Sequence, residues 1–212
     1  MNLKTKHILI TAGPTWVPID SVRVISNIAS GETGILLAQK LSDKGAKVTL
    51  LLGPVSSCCI NKKIKVIPYK FFDELKIKLT RELKTKQYDA VIHSAAVSDY
   101  QLSKCYAKKV RSGIKNWQLT LTPTPKIISL IKKVSPRSLL VGFKFEPKAN
   151  KKTLIREARK LMKDTRADRV VANTIEGNKY TAYLVRQNKV EGYFSTKNSL
   201  IRNLARNISL RI

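Results

Sequence analysis

The chain alternates short apolar runs of strand length with longer runs of helical period, and nothing else in it narrows the possible folds as much. Residues 7–11, 46–52, 64–67, 89–93, 139–143 and 169–172 read as strands, and residues 31–44, 71–84, 127–133 and 153–163 as helices. Phe72, Leu75, Leu79 and Leu83 fall on one helical face, and Gly45 closes the first helix as a C′ glycine does. A late hairpin, 180–185 with 189–193, precedes a closing helix over 197–208. Short buried strands separated by helices predict an α/β fold: a Rossmann-like, mostly parallel sheet with helices on both faces. Ligands on such sheets bind at the carboxyl ends of the strands near the switch point, here Gly13, residues 93–99 and Phe143.

The stretch Ile25-Ser26-Asn27-Ile28-Ala29-Ser30-Gly31-Glu32-Thr33-Gly34 points to what that end of the sheet does. It joins the first strand and its turn to the first helix. A glycine-bearing loop at a helix N-terminus presents free N–H groups and the positive end of the helix dipole, which suits an anion. Asn27 and Arg23 stand just upstream, so the parts fit a nucleotide or phosphate ester.

Residues 98–123 break the alternation. They are too long for a simple crossover and contain Lys108-Lys109-Val110-Arg111-Ser112-Gly113, followed by the period-two run 117–122. This reads as a β-ribbon excursion, of the kind used as lids or dimer arms.

At 212 residues and 43% hydrophobic, the chain can bury a sizeable core, and its length favours one domain over 1–212 with the ribbon at 98–123. No apolar run approaches the ~20 residues needed to span a bilayer, and the N-terminus shows no signal pattern, so a cytoplasmic protein without a membrane partner is expected. Cys58, Cys59 and Cys105 give an odd count without framework spacing, and with only two histidines neither a disulfide scaffold nor a zinc site is indicated. The net charge of +27 raises a nucleic-acid reading. Its basic residues are spread along the chain, without the aromatic interleaving of single-strand modules. A Lys-rich bias on solvated faces, with no specific nucleic acid, is the favoured reading.

A nicotinamide reductase is the other rival. G-x-G-x-x-G is absent, and the second strand ends Leu51-Leu52-Gly53 without an acid for a ribose hydroxyl. Tyr100 and Lys104 form a Tyr-x-x-x-Lys pair, which such reductases carry on a helix.

Several blocks together resemble the phosphopantothenoylcysteine synthetase family, the ligases of coenzyme A biosynthesis. They are Ile10-Thr11-Ala12-Gly13-Pro14-Thr15, Pro18-Ile19-Asp20-Ser21-Val22-Arg23, Ile25-Ser26-Asn27, Ala95-Ala96-Val97-Ser98-Asp99-Tyr100, Lys109-Val110, Val141-Gly142-Phe143 and Val171-Ala172-Asn173, in the family's order. The resemblance implies a two-step ligation. The carboxylate of 4′-phosphopantothenate attacks the α-phosphate of CTP or ATP, and L-cysteine's amine then captures the acyl-nucleotidylate. Joining two anions calls for positive charge and Mg²⁺ around the phosphates. By the same resemblance, Lys109 reaches the triphosphate from the ribbon, Asn27 holds the acyl phosphate as a neutral donor, and Arg23 grips a carboxylate or phosphate. Gly13, Ser30 and Gly31 line the phosphate side and Ala95, Ala96 and Asp99 the nucleotide side, while Phe143 and Asn173 border the base; metal ligands are not assigned. A homodimer paired through the ribbon is implied, as is a standalone ligase whose decarboxylase is a separate protein.

Two departures stand out. Ala29 replaces a common serine, and Glu32 stands where a basic residue is usual. The short segment after Asn173 looks closer to the eukaryotic, ATP-using branch.

Overall fold

The computed structural model describes residues 3–56 and 59–212; Cys58 lies outside them. In chain order the elements are β1 (His7–Ala12), β2 (Trp16–Pro18), β3 (Val24–Ser26), α1 (Glu32–Asp43), β4 (Lys47–Leu52), β5 (Lys65–Pro68), α2 (Phe72–Thr85), β6 (Ala90–His93), β7 (Tyr100–Leu102), β8 (Leu121–Pro123), α3 (Ile128–Val134), β9 (Leu139–Phe145), α4 (Lys151–Thr165), β10 (Arg169–Glu176), β11 (Lys179–Arg186), β12 (Lys189–Phe194) and α5 (Lys197–Ser209).

One sheet orders its strands β12-β11-β10-β9-β6-β1-β4-β5. From β5 across to β10 neighbouring strands run parallel, and β11 and β12 add an antiparallel edge. The parallel part has the Rossmann strand order, whose sense of progression reverses between β1 and β6. Alternation along each strand divides the core. Ile8, Ile10, Val48, Leu50 and Ile92 pack with Leu37 and Leu41 of α1 and Leu200, Leu204 and Ile208 of α5. Leu9, Leu51, Val91 and Leu140 pack on the other face with Leu75 and Leu79 of α2, Ile131 of α3 and Leu154 of α4. Helices therefore cover both faces, as the alternation predicts. Each fully buried Leu or Ile contributes roughly 1.5–3 kcal/mol.

Helix ends follow local chemistry. Asn150 Oδ1 accepts from the Thr153 N–H at the start of α4, and Thr196 and Ser199 form a capping box at the start of α5. After α1, Gly45 takes φ +93° and its N–H donates to the Ser42 carbonyl. α1 itself begins after Gly31 at φ +69°, with no side chain capping it.

Two parts differ from the sequence reading. β2 and β3 form a small antiparallel pair that the apolar pattern does not announce, because Val24 and Ile25 are exposed rather than alternating in and out. The ribbon is shorter than expected: of the period-two run 117–122 only its end enters a ladder, as β8 against β7. Trp117 instead meets the Tyr106 ring at 6.1 Å and carries the Arg23 guanidinium over its face at 5.2 Å, which takes the start of the run out of any strand.

Candidate active site

The loops leaving β1 and β6 are tied together just beyond the strand-order reversal. Ala96 N–H donates to the Gly13 carbonyl at 3.0 Å, and Ser98 N–H to Thr15 Oγ1 at 2.9 Å. The Tyr69 hydroxyl, pushed up by burial, donates to the Ala12 carbonyl at 2.8 Å from below. Gly13 takes φ +81°, and a Cβ on Gly31 would sit 3.2 Å from Gly13 N, so the two glycines close on each other with backbone alone. Gly34 lets α1 press against β1: a Cβ there would lie 2.5 Å from Ala12 Cβ and 2.7 Å from Ser94 Oγ.

Over this cradle opens a cavity of about 720 Å³ at the carboxyl ends of the strands. Gly13, Asn27, Ser30 and Gly31 line one side of it. Ala95, Ala96 and Asp99 come from beyond β6, and Phe143 and Asn173 from the ends of β9 and β10. Asn27 Nδ2 donates to the carbonyls of Ala96 at 3.1 Å and Val97 at 3.4 Å. Two facing carbonyls fix which end of the carboxamide is nitrogen, and leave Oδ1 as the atom able to meet a ligand. The sequence reading had Asn27 as a donor to substrate; here its donors are committed to the chain.

Arg23 and Lys109 are absent from the cavity lining. Arg23 Nη1 donates to Asp20 Oδ2 at 2.7 Å and to the Val110 carbonyl at 3.2 Å, knotting the turn after β2 to the ribbon. Burial pushes the Asp20 carboxyl up, but N–H donors from Val110, Val22 and Arg23, with the Arg23 charge, outweigh it and hold it at about 2. Lys109 is exposed on the same ribbon. Tyr100 lies on β7 and Lys104 beyond it, neither on a helix nor in the lining, so the pair lacks the geometry a short-chain reductase needs.

The sequence gives other lining groups no role, His93 entering only as the start of the 93–99 strand end. His93, one of two histidines, ends β6 buried at the cavity wall, and burial pushes its imidazole down to about 4. Lys126, Lys144 and Lys197 also line the cavity. Lys126 pairs with Asp99 and Lys144 with Glu146, while Lys197, at the start of α5, pairs with Glu32 at the start of α1. Glu32, Asp99 and Asp164 are the lining acids, so with His93 neutral the three lysines are matched in charge, in a chain of net charge +27.

An open α/β sheet of Rossmann order, with a glycine-cradled cleft where that order reverses, places the protein among Rossmann-like α/β domains. The chain belongs to the family described as the DNA/pantothenate metabolism flavoprotein C-terminal domain, whose model matches residues 3–208. It is 38% identical over 176 residues to the coenzyme A biosynthesis bifunctional protein CoaBC of Thermococcus kodakarensis, covering 82% of this chain and 43% of that protein. The chain thus spans less than half the length of that relative. The crystal structure of the DNA/pantothenate metabolism flavoprotein from Streptococcus pneumoniae superposes with a TM-score of 0.88 at 28% identity, over 97% of this chain and 99% of that one. A Cab2 H337A variant, solved in complex with phosphopantothenate-cysteine, shares the fold at 16% identity with a TM-score of 0.76, over 98% and 88% of the two chains.

Proposed function

We propose that this chain is a phosphopantothenate–cysteine ligase that acts through an acyl-nucleotidylate, using ATP or CTP. The observation that carries the reading is the cavity at the strand-order reversal, where the uncapped N-terminus of α1 and the Asn27 carboxamide face one space. Membership of the family and a bifunctional coenzyme A biosynthesis relative support it.

In the first step a carboxylate oxygen of 4′-phosphopantothenate bonds to the α-phosphorus, and the bond to pyrophosphate breaks. The N–H groups of the Gly31–Thr33 turn and the lining lysines hold the phosphates in line, so this part of the catalysis is positioning and electrostatics. In the second step the cysteine nitrogen bonds to the acyl carbon, the nucleoside monophosphate leaves and the amine loses a proton. Asn27 Oδ1 accepts a hydrogen bond from the approaching amine and aims its lone pair. Magnesium neutralises phosphate charge when bound. The donor set fits a phosphate-borne ion: Asp99 is a lining carboxylate, and magnesium needs only one or two of these beside the phosphates.

Lys109 serves this mechanism across a homodimer, the ribbon of one copy closing the cavity of the other. The exposed apolar side chains of Val22, Ile28, Ile114 and Leu121 favour such pairing. The test is pyrophosphate release by purified protein with Mg²⁺, 4′-phosphopantothenate and L-cysteine, comparing ATP with CTP. Release that depends on phosphopantothenate supports the ligase, and none with either nucleotide in a folded sample refutes it.

A further inference from the structure

We infer that Lys197 is a phosphate-gripping cation of this cavity and that Glu32 is its resting partner, released when the phosphates enter. The inference rests on the reading above, that a nucleoside triphosphate occupies the cleft.

Helix stability does not explain where Lys197 sits. A cation in the first turn of a helix opposes the macrodipole, while an acid such as Glu32 in the first turn of α1 is favoured by it. The two helices also differ at their starts. The capping box of α5 takes the Thr196 and Ser199 amides, and what α5 places in the cavity lining is Lys197. α1 starts at a glycine with no side-chain cap; Ser30 Oγ takes the Glu32 N–H at 3.4 Å, while Gly31 and Thr33, both in the cavity lining, have amides met by no side chain among the described residues. Lys197 and Glu32 bring the two ends together across 165 residues of sequence.

Charge explains why the pair should exchange. The cavity's lining lysines and acids are matched in number, so the lining side chains carry no surplus positive charge while Glu32 holds Lys197. The Glu32 carboxylate is half-exposed and the lysine a third exposed, and an ion pair as open as this is weak. A phosphate oxygen, bearing more charge and already held by the α1 amides, outcompetes one carboxylate for the ammonium. Glu32 then keeps the lysine beside the cradle when no ligand is there, and sets a threshold that singly charged anions do not pass.

The test uses inorganic tripolyphosphate with Mg²⁺, which binds without reacting, followed by calorimetry on the full chain. Lys197→Met should weaken binding about tenfold. Glu32→Gln should tighten it several-fold, because it frees the lysine and removes a repelling charge. Opposite signs are the point: if the pair merely straps α1 to α5, both variants lose the strap alike. Both variants weakened, or both unchanged, overturns the inference. Should Lys197→Met unfold, Lys197→Arg, which keeps the charge, must retain binding and Glu32→Gln must still tighten it. Wild-type turnover together with like-behaving variants removes this inference alone. Wild type that neither releases pyrophosphate nor binds ATP or CTP removes the ligase reading beneath it.

Discussion

Thr11 and His93 face each other across the line where the strand order reverses, Oγ1 to Nδ1 at 2.9 Å. With the imidazole neutral, the hydroxyl donates to Nδ1 and is free to accept the Ala95 N–H at 3.4 Å. Ser94 adds its own hydroxyl to the Thr11 carbonyl at 2.7 Å. One threonine thereby fixes the first residues beyond β6, which line the cleft.

This contact has a pH signature. The folded imidazole titrates at about 4, below its ordinary 6.5, because burial disfavours its charge. Between those two values the unfolded chain holds the extra proton, so stability rises with pH through that window and is complete above it. The contribution lost on acidification is on the order of 3 kcal/mol. Melting temperature against pH should be visibly flatter from 6.5 to 4 in His93→Gln than in the wild type; equal slopes would show that His93 is not the group responsible.

Asn27→Asp replaces two N–H donors with a carboxylate aimed at the Ala96 and Val97 carbonyls. Repulsion from both oxygens should shift the loop, and the negative charge opposes the acyl phosphate. Product formation is expected to fall by about a hundredfold or more, a loss of roughly 3 kcal/mol of transition-state stabilisation, while pyrophosphate is still released and the acyl-nucleotidylate accumulates. Wild-type yields of product would remove Asn27 from the second step.

Gly34→Ala forces a methyl to 2.5 Å from Ala12 Cβ, against strand backbone that cannot retreat. Overpacking of this kind costs about 1–3 kcal/mol, or a melting temperature lower by about 2–10 °C for a chain of this size. Because α1 must move off β1, nucleotide affinity should fall as well. An alanine variant with unchanged melting and affinity would mean the helix is free to slide.

Asp20 is the knot that holds the ribbon, accepting from Val22, Arg23 and Val110. Its carboxyl is held at about 2, so its contribution is present above the ordinary carboxylate range and is lost as pH falls from about 4 towards 2. Asp20→Asn should loosen residues 103–120 at neutral pH, read as faster limited proteolysis there with the sheet still protected. Unchanged cleavage would place the anchoring elsewhere, in Trp117 and Tyr106.

Much of this was readable in advance. Strand-length runs and helical faces gave the parallel sheet with helices on both sides, and Gly31 before an apolar run marked the start of α1. Hidden was whatever depends on long-range pairing. Lys126, Lys144 and Lys197 are three lysines in a Lys-rich chain until the fold sets them round one cavity beside their acids. The Trp117 run has a strand's periodicity, but periodicity does not reveal that an arginine stacks on its first ring. Arg23 and Lys109 were legible as motif residues, yet the fold of one chain ties Arg23 to the ribbon and carries Lys109 on it, both outside the cleft lining.

The rim of the cleft joins the first helix to the last. Of the eight-stranded sheet only β1 precedes the glycine cradle in the chain, whereas Lys197 follows the last strand, β12. A growing chain therefore holds an unfinished mouth until all the remaining strands have been made, and the rim closes only when α5 docks beside α1.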